Sequence, residues 1–327
     1  MKGKIMVNDN MNLRNAAKTK NDDFYTQYAD IEKEMSYYKD YFKDKIVYCN
    51  TDDKDSNFVK YFVDNFDSLG LREVIATSYA DKGKGEGYIY NGTAYTFKLN
   101  GNGDFRSKEC ETWLKKADVV VTNPPFSLFR EFVSQLMEFD KDFIIIGNGN
   151  AVTYKEVFQY IKNDLIWLGA SKGMGGRAME FLVDEEFYDS TKGTMNRTEE
   201  GKYYVSVMMC TWFTNIPHSK RNEELILTKS LSNGYTKYDN YDAIEVSKTK
   251  DIPMDYNGVM GVPISFLDKY CPTQFEILGL AADKRDDCEW FIKGEETYLD
   301  DKHKRFVGMV LNGKATYARL LIRRRLI

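Results

Sequence analysis

Asn123-Pro124-Pro125-Phe126 sets a side-chain amide, a proline carbonyl and an aromatic ring side by side in the chain. Two prolines fix successive φ angles and restrict the residue before each, so the loop is stiff. Stiffness matters where two acceptors must be held in fixed geometry. The Asn123 side-chain oxygen and the Pro124 carbonyl can each accept one hydrogen of an aromatic exocyclic amine. The nitrogen, a poor nucleophile while its lone pair is delocalised, is then drawn toward tetrahedral shape and aimed at an electrophilic carbon. Adenine N6 is such an amine, and a sulfonium methyl is such a carbon. The gain comes from positioning and electrostatics, with no covalent intermediate on the protein. A duplex base must first leave its stack, and Phe126 can stack on the extruded ring, a contact worth roughly 1–3 kcal/mol per base in single-strand binders. As a bare string these four residues also make an ordinary turn, so their setting decides their meaning.

That setting is an alternation of strands and helices. Tyr28, Ile31, Met35, Tyr38 and Phe42 have helical spacing. The short apolar strand Lys45-Ile46-Val47-Tyr48-Cys49 follows, then the polar turn Asn50-Thr51-Asp52-Asp53. Phe58, Tyr61, Phe62, Phe66 and Leu69 form a second helical stripe closed by Gly70. After the strand Glu73-Val74-Ile75-Ala76-Thr77, two alternating runs flank Asn91-Gly92, a hairpin signal. Helical residues around Trp113 lead to Asp118-Val119-Val120-Val121-Thr122, which ends at Asn123. A helix with Phe129, Phe132, Val133, Leu136 and Met137 on one face, and the strand Phe143–Gly147, come next. The pattern predicts a Rossmann-like α/β fold, a doubly wound, mostly parallel sheet. Apolar runs such as Val119–Val121 suit strands buried on both faces. In such sheets ligands bind at the carboxyl ends of the strands, where the motif sits. Leu165–Leu168, Ala178–Val183 and Tyr203–Phe213 read as strands without intervening helices, an antiparallel edge. We expect a mobile arm over residues 1–20, a catalytic domain over 21–220 and a separate region over 221–327.

The 327 residues and a 43% hydrophobic content allow a sizeable core. A net charge of −4 argues mildly against a nucleic-acid partner, but local patches matter more than totals. From Lys302 onward the chain carries Lys304, Arg305, Lys314, Arg319, Arg323, Arg324 and Arg325 and no acid. Because Tyr317–Leu326 also reads as a strand, we expect phosphate contacts from Lys314, Arg319, Arg323, Arg324 and Arg325; a solvated charged end is the plainer alternative. Five scattered cysteines without a C-x-x-C pair indicate free thiols and a cytoplasmic protein. His218 and His303 are the two histidines, which makes a zinc site an unpromising expectation; we expect no metal. No run approaches the roughly 20 apolar residues of a membrane span. Gly173-Met174-Gly175-Gly176 lacks the phosphate-loop spacing and reads as a flexible loop that approaches DNA.

The stretch Asp118–Phe126 resembles the catalytic motif of the amino-methyltransferases. Asp23–Tyr28, Val47–Asn50 with Asp52-Asp53, Ser56-Asn57-Phe58, Gly103–Ser107, Gly261–Phe266 and Tyr317-Ala318-Arg319 are together similar to the EcoRI-type adenine-specific DNA methyltransferases. The resemblance runs from about residue 14 to the end. It implies a class I S-adenosylmethionine-dependent fold with a C-terminal target-recognition region and site-specific transfer to adenine N6. It implies double-stranded DNA as partner and, within a restriction-modification system, a cognate restriction endonuclease.

By motif, the resemblance implies that Phe24, Tyr25 and Gln27 border the methionine part of the cofactor. Asn50, Asp52 and Asp53 follow the first strand, where the cofactor's amino-acid end docks and a carboxylate can pair with its ammonium. Asp104, with Phe105 beside it, resembles the acceptor for the cofactor's adenine amine. Read as residues alone, Asp52-Asp53 also suits a solvated turn, Asp104 a turn former, and Phe24-Tyr25 an anchor on the core. The first loop departs from the general pattern by lacking a glycine-rich turn. The second strand ends in Thr77-Ser78-Tyr79 without an acid for the ribose, leaving Asp81 as candidate. Two readings compete: a catalytically degenerate nucleic-acid-binding relative, and an enzyme acting on RNA adenine or protein glutamine.

Overall fold

The computed structural model describes residues 24–171, 173, 174, 176, 178–191, 196–281, 299, 300, 305, 306 and 309–325. The arm expected over 1–20, the residues Gly175, Cys288, Lys302, His303 and Lys304, and the side chain of Arg305 lie outside the described part. Contacts divide the chain into two units, Met1–Ala151 with Leu168–His218, and Val152–Trp167 with Ser219–Ile327.

In the first unit the chain begins with β1 (Tyr25–Thr26) and α1 (Tyr28–Met35). The helical spacing stops there: Ser36 ends α1, and a 3-10 turn at Lys39–Phe42 carries the last apolar position. Next come β2 (Ile46–Asn50), α2 (Asn57–Asp64), the short α3 (Phe66–Leu69) and β3 (Glu73–Ser78). Gly70 closes α3 in the left-handed conformation, φ 63°. The expected hairpin is β4 (Glu86–Tyr90) and β5 (Ala94–Lys98), turned at Gly92. It is followed by α4 (Lys108–Lys116), β6 (Val119–Thr122), α5 (Phe129–Glu138) and β7 (Asp142–Asn148).

Past β7 lie α6 (Lys155–Lys162), β8 (Trp167–Leu168), β9 (Met179–Val183), α7 (Glu185–Ser190), β10 (Arg197–Glu199), β11 (Lys202–Val207) and β12 (Cys210–Thr214). The expected helix-free edge is corrected here in two respects. Helix α7 intervenes, capped by Asp184, whose side chain accepts from the Phe187 amide at 2.6 Å. The run expected as one strand over Tyr203–Phe213 is two strands in different sheets, because Met209 takes a positive φ of 58° and turns the chain between them.

The main sheet has eight strands in the order β5-β4-β3-β2-β6-β7-β12-β8. Its centre, β3-β2-β6-β7, is parallel, and β4, β5 and β12 run antiparallel to their neighbours. This is the Rossmann-like, doubly wound, mostly parallel sheet that the alternation of strands and helices predicts. Val119–Val121 and Ile144–Ile146 are fully buried, as strands covered on both faces must be. Burying each such side chain contributes roughly 1.5–3 kcal/mol. From β2 the chain winds outward to β3 and later returns to β6 on the other side. The ends of β2 and β6 therefore flank a topological switch point, where α/β sheets hold ligands. A second sheet, β1-β9-β11-β10, belongs to the same unit.

The second unit is built on β13 (Ile244–Glu245), β14 (Met260–Pro263), β15 (Phe275–Ala281) and, further on, β20 (Arg319–Arg324). They form a sheet in the order β13-β14-β20-β15, with a bulge in β15 between Ile277 and Gly279. Two small ribbons, β16 (Leu299–Asp300) with β17 (Arg305–Phe306) and β18 (Val310–Leu311) with β19 (Lys314–Ala315), precede β20. Chain order places 152–167 with the catalytic domain, whereas its contacts place it here. Helix α6 packs on β15. Arg221 pairs with Asp164 at 2.7 Å and lies between the rings of Trp167 and Tyr270, its guanidinium 4.9 and 5.0 Å from their centroids. Among the described residues Cys49, Cys110, Cys210 and Cys271 are buried and form no disulfide. No described helix is long and apolar enough to cross a membrane, and no described cluster could hold a metal ion.

Candidate active site

At the switch point the loops after β2, β3 and β6 line a cavity of about 350 Å³. Its walls include Phe24, Tyr25, Asp52, Asp53, Asp104, Phe105, Asn123 and Pro125, so eight of the residues singled out from sequence converge on one space. Gln27, Asn50, Pro124 and Phe126 are not among the lining residues.

Each wall has a local cause. Ser56 heads α2, its hydroxyl accepting from the Val59 amide at 3.2 Å, which makes the loop Thr51–Ser56 the entry to a helix. Where the general pattern uses glycine, Thr51 adopts φ 77°. A β-branched residue is rarely left-handed, and such strain collects at functional loops. Asn50 points into the sheet, fully buried, and accepts from Thr77 at 3.3 Å, tying β2 to β3 behind the cavity. Gln27 precedes α1 as its N-terminal flanking residue.

The wall opposite depends on Gly103. It has φ 83°, and a side-chain carbon there would lie 2.1 Å from the Ser78 carbonyl. Only glycine permits that approach of the loop to the end of β3, and the approach sets Asp104 at the cavity. Both Asp104 oxygens accept from Arg106, at 2.9 Å from Nε and 2.7 Å from an amino group, and the other amino group reaches Glu131 at 2.9 Å. The Arg106 guanidinium holds the Asp104 carboxyl below the usual carboxylate range. Phe105 is buried edge-on against Phe132. Asp81 is exposed at the rim beside Tyr79.

The N-terminal segment is held over the cavity from two sides. Tyr25 and Thr26 pair with Leu182 and Phe181, and Asn57 donates to the Thr26 carbonyl at 2.8 Å. Phe24 stacks on Phe126, centroids 5.7 Å apart, with Phe181 and Phe187 edge-on. Phe126 is thus part of an aromatic cluster, and Phe24 serves as anchor and wall together.

The Asn123 amide nitrogen donates to the Phe24 carbonyl at 2.9 Å. Its Oδ1 is buried at the cavity wall with no partner. A buried acceptor without a donor is costly, and this oxygen keeps the capacity to accept a further hydrogen. Asp52 lies partly exposed across the loop. Desolvation pushes its carboxyl up to about 7, against the pull of hydrogen bonds from Thr122 and Ser56, and Asp53 adds to the rise. Sequence reasoning missed Thr26, Thr51, Ser56, Asn57, Ser78, Tyr79 and Arg106 as lining residues. A Ser-x-x before an apolar helical stripe was the available signal for Ser56; the others depend on three-dimensional neighbours.

The residues expected on DNA lie in the second unit. Lys314 is exposed as the first residue of β19. Arg319 forms a largely buried pair with Glu245 at 3.0 Å, their side chains 14% and 9% exposed. Arg323 pairs with Glu276 at 2.8 Å on the surface. Arg324 donates to the Met254 carbonyl, and Arg325 to the carbonyls of Pro272 and Phe275 at 2.8 and 3.2 Å. Four of the five are therefore engaged within their own unit, and Arg319 is placed as a framework residue.

The chain matches the family described as adenine-specific methyltransferase EcoRI over residues 12–94 and 84–325. It is 46% identical over 335 aligned residues to the Type II methyltransferase M.EcoRI of Escherichia coli, covering 95% of each chain. It is 37% identical to M.MpnI of Mycoplasma pneumoniae, covering 95% of this chain and 97% of that one. It is 36% identical to M.MgeORF184P of Mycoplasma genitalium, with coverages of 95% and 98%. No solved structure matches.

Proposed function

Because the chain belongs to the EcoRI family of adenine-specific methyltransferases and is a site-specific adenine DNA methyltransferase, we propose that S-adenosylmethionine is its methyl donor and the N6 amine of an adenine swung out of duplex DNA its acceptor, joined by direct in-line transfer. Membership sets aside RNA adenine and protein glutamine as acceptors. One observation carries the reading: the Asn123 amide is anchored through its nitrogen to Phe24, and its buried oxygen is left as an acceptor at the cavity wall.

The cavity's donor set suits the cofactor. Asp52, with Asp53 beside it, is the carboxylate for an ammonium group. Asp104 keeps lone pairs beyond those that Arg106 occupies and can accept from an adenine amine. Bound S-adenosylmethionine would supply the electrophilic sulfonium methyl. Asn123 Oδ1 and the Pro124 carbonyl hold the two hydrogens of the target amine. Phe126 extends its pairing with Phe24 to the extruded base. Fixed dipoles of this kind act strongly where water is excluded.

We assign target recognition to residues 221–327 and phosphate contact to Lys314, Arg323 and Arg324, with Arg325 and Arg319 holding the sheet that presents them. The reading places the enzyme in the cytoplasm and, within a restriction-modification system, beside a cognate endonuclease. The test is transfer of labelled methyl from S-adenosylmethionine to mixed-sequence duplex DNA, followed by digestion to nucleosides. The label is expected on N6-methyldeoxyadenosine alone. No incorporation, or label on cytosine, overturns the reading.

A further inference from the structure

Thr122, the residue before Asn123, has an unusual set of neighbours. Its Oγ1 lies 2.6 Å from the Asn50 carbonyl oxygen, 2.5 Å from Asp52 Oδ2 and 3.2 Å from Thr51 Oγ1. A threonine hydroxyl has one hydrogen to give, and a carbonyl oxygen has none. Two oxygen–oxygen approaches at full O–H···O contact need two hydrogens. Thr122 supplies one. If Asp52 were ionised, the other approach would set two lone pairs against each other. A proton on Asp52 satisfies both, with Asp52 donating to Thr122 and Thr122 donating to Asn50. The Thr51 hydroxyl can then donate to the remaining Thr122 lone pair.

We propose that Asp52 holds a proton in the cofactor-free protein, that docking of the cofactor's ammonium group expels this proton to solvent, and that Thr122 thereupon swings its hydrogen from Asn50 to Asp52, acting as the positioning residue that links cofactor occupancy to the catalytic loop. The inference rests on the cavity being the S-adenosylmethionine site. No covalent bond between heavy atoms changes: the Asp52 O–H bond breaks and its proton passes to solvent, the hydrogen bonds from Asp52 to Thr122 and from Thr122 to the Asn50 carbonyl are given up, and an ammonium–carboxylate contact and a hydrogen bond from Thr122 to Asp52 form, so Thr122 draws off the Asn50 carbonyl as the cofactor docks.

The surroundings agree. Cys49 on β2 is a buried thiol whose pKa burial pushes up, so no charge faces Asp52 from that strand. Asp53 in the same loop adds negative potential, and Ser56 at the head of α2 gives one hydrogen bond. Across the cavity stand Asp81 and Asp104. Arg106, the cation among the lining residues, is held by Asp104 and Glu131. Lys54 is turned to Asp55. Desolvation and Asp53 both push the Asp52 carboxyl up, to about 7.

The test is calorimetric binding of S-adenosylhomocysteine to the full-length protein in two buffers of different ionisation enthalpy, from pH 5.5 to 7.5. The expected result is about one proton released per molecule bound near pH 6, falling through about half near pH 7. Affinity is expected to weaken toward tenfold per pH unit on the acid side. In Thr122→Val the carboxylate loses a donor, so the release curve moves to higher pH, and Thr122→Ser returns it; a packing role alone would move neither. A proton count of zero across this range with binding intact overturns the proposal, as does a Thr122→Val curve that superimposes on wild type. Loss of all binding at every pH would instead overturn the cofactor reading of the cavity.

Discussion

The Asn123 side-chain nitrogen donates to the Phe24 carbonyl at 2.9 Å across 99 positions of sequence. This contact fixes which end of the amide faces the cavity. It also means that the segment over the cofactor site and the loop over the target base cannot be set independently. Asn123→Ala removes the acceptor, and loss of one oxyanion-type partner costs about 10²–10³ in kcat. Since the Asn123 oxygen is assigned to the target amine and not to the cofactor, cofactor affinity should fall far less than methyl transfer. The paired measurement is methyl transfer and S-adenosylhomocysteine binding on one preparation. Undiminished transfer would rule out the role given to Asn123.

Gly103→Ala tests the opposite wall. The added carbon would meet the Ser78 carbonyl at 2.1 Å, and the backbone φ of 83° disfavours any side chain. The loop must withdraw from β3, taking Asp104 with it. Cofactor affinity should fall at least tenfold while the DNA affinity of the cofactor-free protein is unchanged. Equal cofactor affinity in the variant would show that Asp104 is not a contact.

Much of the fold was legible because it rests on period and burial. Val119–Val121 and Ile144–Ile146 are apolar without interruption, and both are central parallel strands. Asn91-Gly92 announced its hairpin through the turn chemistry that Gly92 carries out. The break between β11 and β12 was not legible, because nothing in the run Tyr203–Phe213 other than the φ of Met209 marks it. Residues 152–167 join the second unit through Arg221, Trp167 and Tyr270, a clamp made by residues distant in sequence. In the site, acids and aromatics on strand ends could be nominated from type and position. Thr122 could not, since its interest lies in two oxygens that folding brings to its hydroxyl. The C-terminal arginines show the converse limit. A run of like charge suggested phosphate, yet Arg319 is taken up by Glu245, a largely buried carboxylate 74 positions away in sequence that only folding brings to it.

Arg319→Ala should therefore act on stability before it acts on DNA. It leaves Glu245 as an unpaired, largely buried carboxylate, and breaking one side of such a pair costs about 3–5 kcal/mol. Replacing both partners, Arg319→Met with Glu245→Leu, should recover most of that loss. Urea unfolding of the two proteins decides between this and a phosphate contact, in which case Arg319→Ala would unfold like wild type and bind DNA more weakly.

Lys314 is the contrasting case, exposed on the β18–β19 ribbon. Lys314→Ala should leave the unfolding midpoint unchanged and weaken binding to all duplex sequences alike. The slope of log affinity against log salt should become shallower by about one counterion. An unchanged slope would remove Lys314 from the interface.

The Asp52 carboxyl gives stability a pH dependence whose sign can be worked out. In the folded, cofactor-free protein its proton is held up to about 7, while in the unfolded chain it is lost near the ordinary carboxylate value. Between those limits the folded state binds more protons than the unfolded one. The contribution of this group to unfolding free energy therefore falls as pH rises through that window, and is at its lowest above pH 7. Asp52→Asn imitates the protonated form at every pH. It should be more stable than wild type at pH 8, and the advantage should shrink toward pH 4. Saturating S-adenosylhomocysteine should reverse the order at pH 8, because the ionised carboxylate then has an ammonium to hold and the asparagine does not. Thermal unfolding of both proteins at these two pH values, with and without the ligand, measures all three differences. A variant that tracks wild type throughout would mean that Asp52 is ionised before the ligand arrives.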